Sequence, residues 1–354
     1  MRAHNHLMTF PGLVDAHVHL RVPGGEHKED YHTGSAAALA GGFTSIMAMP
    51  NTTPPITTVG RWRAATEQAA RESLCDVALF AGASSTNFDE LHELSRHARA
   101  LKLYMDLTFG ELRVEGAEAL LRIAREWPSE KVLALHAEDN SVKIGISLAE
   151  KLQRRVHFCH ISRKEEIEWI AAAKEKGLQV TCEVTPHHLF LNDSDAQRLG
   201  ALGDMRPKLA GQRDVDALWE HIDSTIDCVA SDHAPHTLSE KQNPKNSPPG
   251  VPGLESTLPL LLTAAAEGRL SYERIIELLA VNPRKIYGLP EQPDTWVEVD
   301  TQAKYHFPDH PLYTKCGWSP FADFPITGKI MRVVLRGREV VTNGIVNDYC
   351  RKID

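Results

Sequence analysis

Up to Ser231 the chain alternates short apolar runs with longer stretches of helical periodicity, and this alternation constrains its fold more than any other feature. We read eight strands, at Leu13–Val18, Thr44–Met49, Val77–Ala81, Leu101–Met105, Val132–His136, Val156–His160, Gln179–Val184 and Asp227–Ser231. Helical stretches lie between them, among them Gly34–Ala40, Arg61–Arg71, Phe88–Ala98, Ala117–Trp127 and Lys164–Lys176. Parallel strands cannot be joined by tight turns, so a helix after each strand implies a parallel sheet. Eight such units predict a (β/α)8 barrel, a fold whose chemistry sits at the C-terminal ends of its strands. The 354 residues are ample for that single core.

From about Asp294 the texture changes: Val297–Val299 and Met331–Leu335 read as strands, with a turn at Arg336–Arg338. The expected division is a barrel over 11–293 and a small β appendage from 1–10 and 294–354. The first barrel strand begins after only about a dozen residues, which suits a segment of a longer polypeptide.

Composition narrows the partners. A formal net charge of −8 provides no electrostatic footprint for nucleic acid or an anionic membrane surface. The six cysteines (Cys75, Cys159, Cys182, Cys228, Cys316 and Cys350) form no CxxC pair and read as reduced thiols. Met1–Phe10 has no signal-peptide core, and Leu254–Ala266 is too short to span a bilayer and contains Glu255. The expected location is cytoplasmic.

The polar residues on the strand ends point to a metal. His17 and His19 are two apart on one strand, so both side chains face one way. A lone His-x-His is as often core or surface as ligand. Here, however, His136 ends the fifth strand, His160 the sixth, and Asp232 follows the eighth, so five ligands meet at one rim. The bland reading, histidines satisfied by backbone partners, would have to hold at all four histidines at once.

Four imidazoles and one carboxylate are few for two divalent ions. Lys102 is the candidate for a further anion: an interior amine can add carbon dioxide, and the resulting carbamate has two oxygens to bridge two metals. A strand lysine can equally snorkel to solvent. Cys159 and Glu183 also sit at strand ends. They read either as ligands of a third metal or as a small buried thiol and a partner to a nearby base.

At this point the chain resembles a known family. Pro11-Gly12-Leu13-Val14-Asp15-Ala16-His17-Val18-His19-Leu20-Arg21 is similar to the first signature of dihydroorotases. Ala230-Ser231-Asp232-His233-Ala234-Pro235-His236, with Lys241 after it, is similar to the second. Met49-Pro50-Asn51, Lys102-Leu103-Tyr104, Thr108-Phe109, Val156 to His160 and Cys182 to His188 also fit. The resemblance runs from about residue 11 to about 340. It is strongest to the branch found as a domain of animal multifunctional pyrimidine-synthesis polypeptides.

The resemblance implies a TIM-type barrel of the metal-dependent amidohydrolase kind. It also implies reversible cyclisation of N-carbamoyl-L-aspartate to L-dihydroorotate, the third step of pyrimidine biosynthesis. It assigns His17, His19 and Asp232 to one zinc, His136 and His160 to another, and carboxylated Lys102 as the bridge. Cys159 and Glu183 match the residues of a third zinc. Arg21, Asn51 and His236 match the residues that grip the substrate carboxylate, Arg206 and Pro249 contact the ring, and Thr108 and Phe109 belong to a lid. Asp232 doubles as the proton shuttle. The family also implies a homodimer, and this branch is fused to carbamoyl-phosphate synthase and aspartate carbamoyltransferase modules.

From the residues alone, plainer readings stand beside these. Asp232 can be a ligand only, Arg21 a rim salt bridge, Asn51 a turn residue before Pro54-Pro55, and Ser247–Gly253 a stiff loop. Two departures from the family pattern are Val22, where a glutamate usually follows the arginine, and the lid lead-in Met105-Asp106-Leu107. The competing functions are hydantoinase or allantoinase chemistry on the same scaffold, and a non-catalytic scaffold domain. A 5-substituted hydantoin has no carboxylate for Arg21 and Asn51, and a degenerate domain would have lost ligands that this chain keeps.

Overall fold

The computed structural model describes residues 6–108, 110 and 112–347. The expected barrel is present. Its strands are β2 (Leu13–Val18), β3 (Phe43–Ala48), β4 (Asp76–Leu79) with β5 (Ala81–Gly82), β6 (Ala100–Tyr104), β7 (Val132–His136), β8 (Val156–Phe158), β9 (Val180–Val184) and β10 (Cys228–Val229). Each pairs in parallel with the next. The ring closes through a parallel bridge between Val18 and His233, reinforced by the His19 N–H donating to the His233 carbonyl at 2.7 Å.

Strand boundaries differ from the sequence reading where the ladder gives way to the site. The run Val77–Ala81 is broken at Phe80 into β4 and β5. The run Val156–His160 stops pairing at Phe158, and Asp227–Ser231 pairs only over Cys228–Val229. His160 and Asp232 therefore lie beyond their strands, with φ of +36° and +43°, and Arg21 has φ +63°. Such left-handed backbone is costly for residues with a Cβ and is concentrated at functional sites.

Alternation along the strands separates two cores. Ala100, Val132 and Ala134 pack in an interior cluster with Phe80, Cys159, Cys228 and Tyr287. Leu101, Leu103, Leu133 and Leu135 belong to the larger cluster between strands and helices. With period two, Lys102 and His136 share the interior face. Lys102 and Tyr104 are buried with the rest of β6.

The helices Tyr31–Ala40, Val59–Glu72, Phe88–His97, Ala117–Glu126 and Lys164–Glu175 match the expected stretches closely. Asp30 starts the first by accepting the Thr33 N–H at 2.7 Å. The helix Asn140–Leu152 follows the fifth barrel strand, where eight strand-plus-helix units require one although no bounds were assigned to it. It packs close to the barrel at Gly145, where a Cβ would lie 2.6 Å from the Phe158 ring. Leu254–Ala266 forms a buried helix after the eighth strand, and no described helix is long and apolar enough to cross a membrane.

A separate five-stranded antiparallel sheet has the order β1-β11-β12-β13-β14. It consists of β1 (Leu7–Pro11), β11 (Trp296–Phe307), β12 (Phe324–Leu335), β13 (Arg338–Thr342) and β14 (Ile345–Val346). β11 and β12 are far longer than the expected Val297–Val299 and Met331–Leu335. Their register shifts between Asp300 and Lys304, which hides the alternation from a sequence reading. The described cysteines, Cys75, Cys159, Cys182, Cys228 and Cys316, are free thiols, and Cys350 lies outside the described residues.

Candidate metal centre and substrate pocket

The five expected ligands meet at the C-terminal rim. Asp232 Oδ1 lies 3.1 Å from His19 Nε2 and 3.3 Å from His17 Nε2. His136 Nδ1 lies 2.9 Å from His160 Nε2, and the His17 and His160 rings are 5.2 Å apart. His17, His160 and Asp232 bring three ligand atoms within 4.8 Å of one another, and so do His17, Cys159 and Glu183. Lys102 Nζ reaches Cys159 Sγ at 2.9 Å, inside the same cluster.

The charge environment fits a cation. Burial opposes charging His17, but Glu183 and Asp232 overcome it and push the imidazole up to about 10. Burial likewise opposes ionising Asp232, yet His17 and His19 hold its carboxyl well below the usual range. Glu183 is held low in the same way by His17 and His157 against its own burial. His19, which takes its environment mainly from burial, is lowered to about 4. Burial, with His136 and Lys102 beside it, also drives His160 well below its ordinary range. Two ring nitrogens at 2.9 Å and the buried, unpartnered Nδ1 of His160 form a donor set that a borderline-soft cation satisfies better than protons do.

Supporting contacts orient these ligands. Glu183 Oε1 lies 2.5 Å from His17 Nδ1 and accepts from the His160 N–H at 3.3 Å, leaving His17 Nε2 toward Asp232. His157, to which the sequence reading gave no role, is fully buried, with Nε2 3.1 Å from Glu183 Oε2 and Nδ1 2.9 Å from Thr181. A third cluster of ligand atoms, His157, Glu183 and Cys228, shares that carboxylate. Glu138 also went unnoticed. Its Oε1 is 3.1 Å from His136 Nε2, and its N–H donates to Asp106, which ties the segment before Thr108 to His136. Only position on a strand marks His157 in the sequence, and that mark is shared by ordinary core histidines.

The pocket beside this centre is a recess lined by His19, Arg21, Asn51, Thr108, Arg206, Asp232 and Pro249, among others. Asn51 Oδ1 lies 2.8 Å from His19 Nδ1. Arg21 Nε donates to the Pro235 carbonyl, and its Nη2 is 3.1 Å from His236 Nε2. Burial lowers Arg21 only to about 10, so it stays cationic near neutral pH. Arg206 points its Nη1 at Asp204 (2.6 Å) and at the Met205 carbonyl, which fits a backbone contribution to the pocket. Val22 is buried in the core, so a glutamate there would need a partner. Thr108 reaches the pocket wall, whereas Phe109 lies outside the described residues.

Residues 8–292 match the amidohydrolase family. The chain is 48% identical over 341 residues to the multifunctional protein CAD of Squalus acanthias, covering 96% of this chain and 15% of that one. It therefore spans a small part of that relative's length. It is 33% identical to a dihydroorotase of Methanosarcina acetivorans, over 89% of this chain and 78% of that protein. An L-hydantoinase structure from Arthrobacter aurescens superposes with a TM-score of 0.92 at 25% identity, covering 96% of this chain and 86% of that one.

Proposed function

Because this chain belongs to the amidohydrolase family, and within it to the dihydroorotase branch, we propose that it interconverts L-dihydroorotate and N-carbamoyl-L-aspartate. The observation that carries this reading is the meeting of a cationic grip (Arg21 with Asn51, His236 lying against Arg21) and a proton-accepting carboxylate (Asp232) in one recess against the histidine cluster. Dihydroorotate bears one carboxylate on the ring carbon across from the amide to be cleaved, so a cationic grip and a proton-accepting carboxylate in one recess suit it.

His17, His19 and Asp232 would hold one zinc, His136 and His160 a second, with carboxylated Lys102 between them. Cys159, Glu183 and His17 have the donor chemistry for a third. Bound ions supply Lewis acidity to the amide carbonyl and acidify the attacking water. Arg21 binds the substrate carboxylate through two parallel charge-assisted hydrogen bonds, and Asn51 and His236 complete the grip. In hydrolysis Asp232 takes a proton from the attacking water. Once the ring amide carbon–nitrogen bond breaks, it gives that proton to the departing ureido nitrogen, leaving a neutral urea group and a carboxylic acid that releases its remaining proton to solvent. In cyclisation the same carboxylate removes the ureido proton. Thr108, with the lid it belongs to, shields the bound ring. A homodimer, and fusion to carbamoyl-phosphate synthase and aspartate carbamoyltransferase modules, complete the proposal. The multifunctional relative supports the fusion.

The test is zinc content together with dihydroorotate hydrolysis by the purified protein, with Asp232→Asn alongside. We expect activity that tracks zinc and falls by about 10²–10⁴-fold in the variant. Turnover of hydantoins but not dihydroorotate by zinc-loaded protein would replace this reading with the hydantoinase one. Turnover of neither would favour the scaffold role.

A further inference from the structure

We propose that Lys28 is a positioning residue for the substrate carboxylate: its ammonium fixes the tautomer of His236 so that Nε2 is protonated and cannot take a hydrogen bond from Arg21. The inference rests on the assignment of His236 to the carboxylate grip.

Lys28 lies in the loop before helix Tyr31–Ala40 and is buried, its Nζ 3.1 Å from His236 Nδ1 and 3.1 Å from Glu240 Oε1. An ammonium can only donate, so Nδ1 must accept and can carry no proton. The opposite nitrogen agrees. His236 Nε2 lies 3.0 Å from the Pro249 carbonyl, which can only accept, so Nε2 must carry the proton. Two contacts from separate loops thus select the same tautomer. A doubly protonated ring is excluded by burial, and Arg21, Lys28 and Lys241 around it also oppose a positive charge.

The consequence lies on the Arg21 side. Arg21 Nη2 is 3.1 Å from His236 Nε2, so two N–H groups converge where neither can accept from the other. With its one N–H given to the Pro249 carbonyl, the ring offers Arg21 no lone pair, so that arm of the guanidinium is not captured by the imidazole and can turn to the substrate carboxylate. With the proton on Nδ1, Nε2 would instead accept from Arg21, occupying one arm of the guanidinium and removing one donor to the substrate. Glu240 holds the lysine from the far side, and His27 Nε2 lies 3.2 Å from the same Glu240 oxygen. The Trp318 indole N–H fixes the His236 carbonyl at 2.8 Å, so the ring is positioned from its backbone as well.

The test pairs ¹⁵N chemical shifts of His236 in the full zinc-loaded protein with steady-state kinetics of Lys28→Met and Lys28→Arg. We expect the wild-type ring to be neutral with its proton on Nε2. Lys28→Met should move that proton wholly or partly to Nδ1 and raise KM for dihydroorotate roughly tenfold or more, with a much smaller change in kcat. Lys28→Arg, which still donates to Nδ1, should restore the Nε2 tautomer and most of the affinity. Two results would overturn the proposal: a wild-type proton on Nδ1, or an unchanged tautomer in folded Lys28→Met. A melt by circular dichroism identifies a misfolded variant, and the wild-type shift together with Lys28→Arg then decides. Wild-type protein inert toward dihydroorotate would sink the assigned reaction while leaving the tautomer measurement to stand or fall by itself.

Discussion

Single side chains at this site are defined by what their second polar atom touches. His17 offers Nε2 to the Asp232 side because Nδ1 faces Glu183, and His136 offers Nδ1 because Nε2 faces Glu138. Arg21 is the residue where geometry matters beyond charge, since its backbone is left-handed and its guanidinium spans Pro235 and His236. Arg21→Lys keeps the charge but loses the planar fork, so KM for dihydroorotate should rise about 10–100-fold with kcat much less affected. Equal KM values in the two proteins would remove Arg21 from the grip. At this scale the sequence displayed the ligand types and their order. It hid His157, Glu138 and Lys28, because a buried histidine on a strand or a charged residue in a loop has no periodicity to betray it.

Elements carry these residues with different fidelity. Strands β2 and β7 coincide with the apolar runs read from the sequence, because both are continuously buried along their whole length. The helix Leu254–Ala266 shows a linkage that only packing creates. Its Glu255 carboxylate accepts from the backbone N–H groups of Tyr313 and Thr314, each at 3.0 Å, which fastens the segment between β11 and β12 to the barrel. Burial pushes that carboxyl up to about 8, more than those two N–H groups pull it down. The folded state therefore holds a proton that the unfolded chain, titrating near 4.5, releases between those values. Its contribution is fully present below the lower value and is lost as pH rises through about 8. Melting temperature should fall from pH 6.5 to 9, and Glu255→Gln, which cannot ionise, should flatten that fall. Parallel slopes for the two proteins would refute the linkage.

For the whole molecule, the candidate centre joins residues from six of the eight barrel strands and the loops beyond them, so bound ions would brace the ring at its open end. A ligand that binds only the folded state stabilises it by mass action. Removing zinc with a chelator, verified by elemental analysis, should lower the melting temperature by about 5 °C or more and abolish turnover. Superimposable melts before and after removal would mean that the ions do not brace the barrel. The antiparallel sheet is built from both ends of the described chain, with β1 paired to β11 in register Leu7 to Asp300, so that it closes the chain on itself.

The amino-acid sequence by itself determined the barrel and the histidines and aspartate that gather at its rim, because strand alternation and helix periodicity are local properties that survive without knowledge of contacts. Ligand order along the chain followed from which strand each residue ends. Tertiary structure alone decided which nitrogen of each histidine faces the centre, where Lys102 points, and how long the appendage strands run. Those outcomes depend on partners far apart in sequence: Glu183 for His17, Lys28 for His236, and the bulged pairing of β11 with β12. Hydrogen-bond direction is a property of a pair of atoms, and no one-dimensional pattern encodes a pair separated by hundreds of residues.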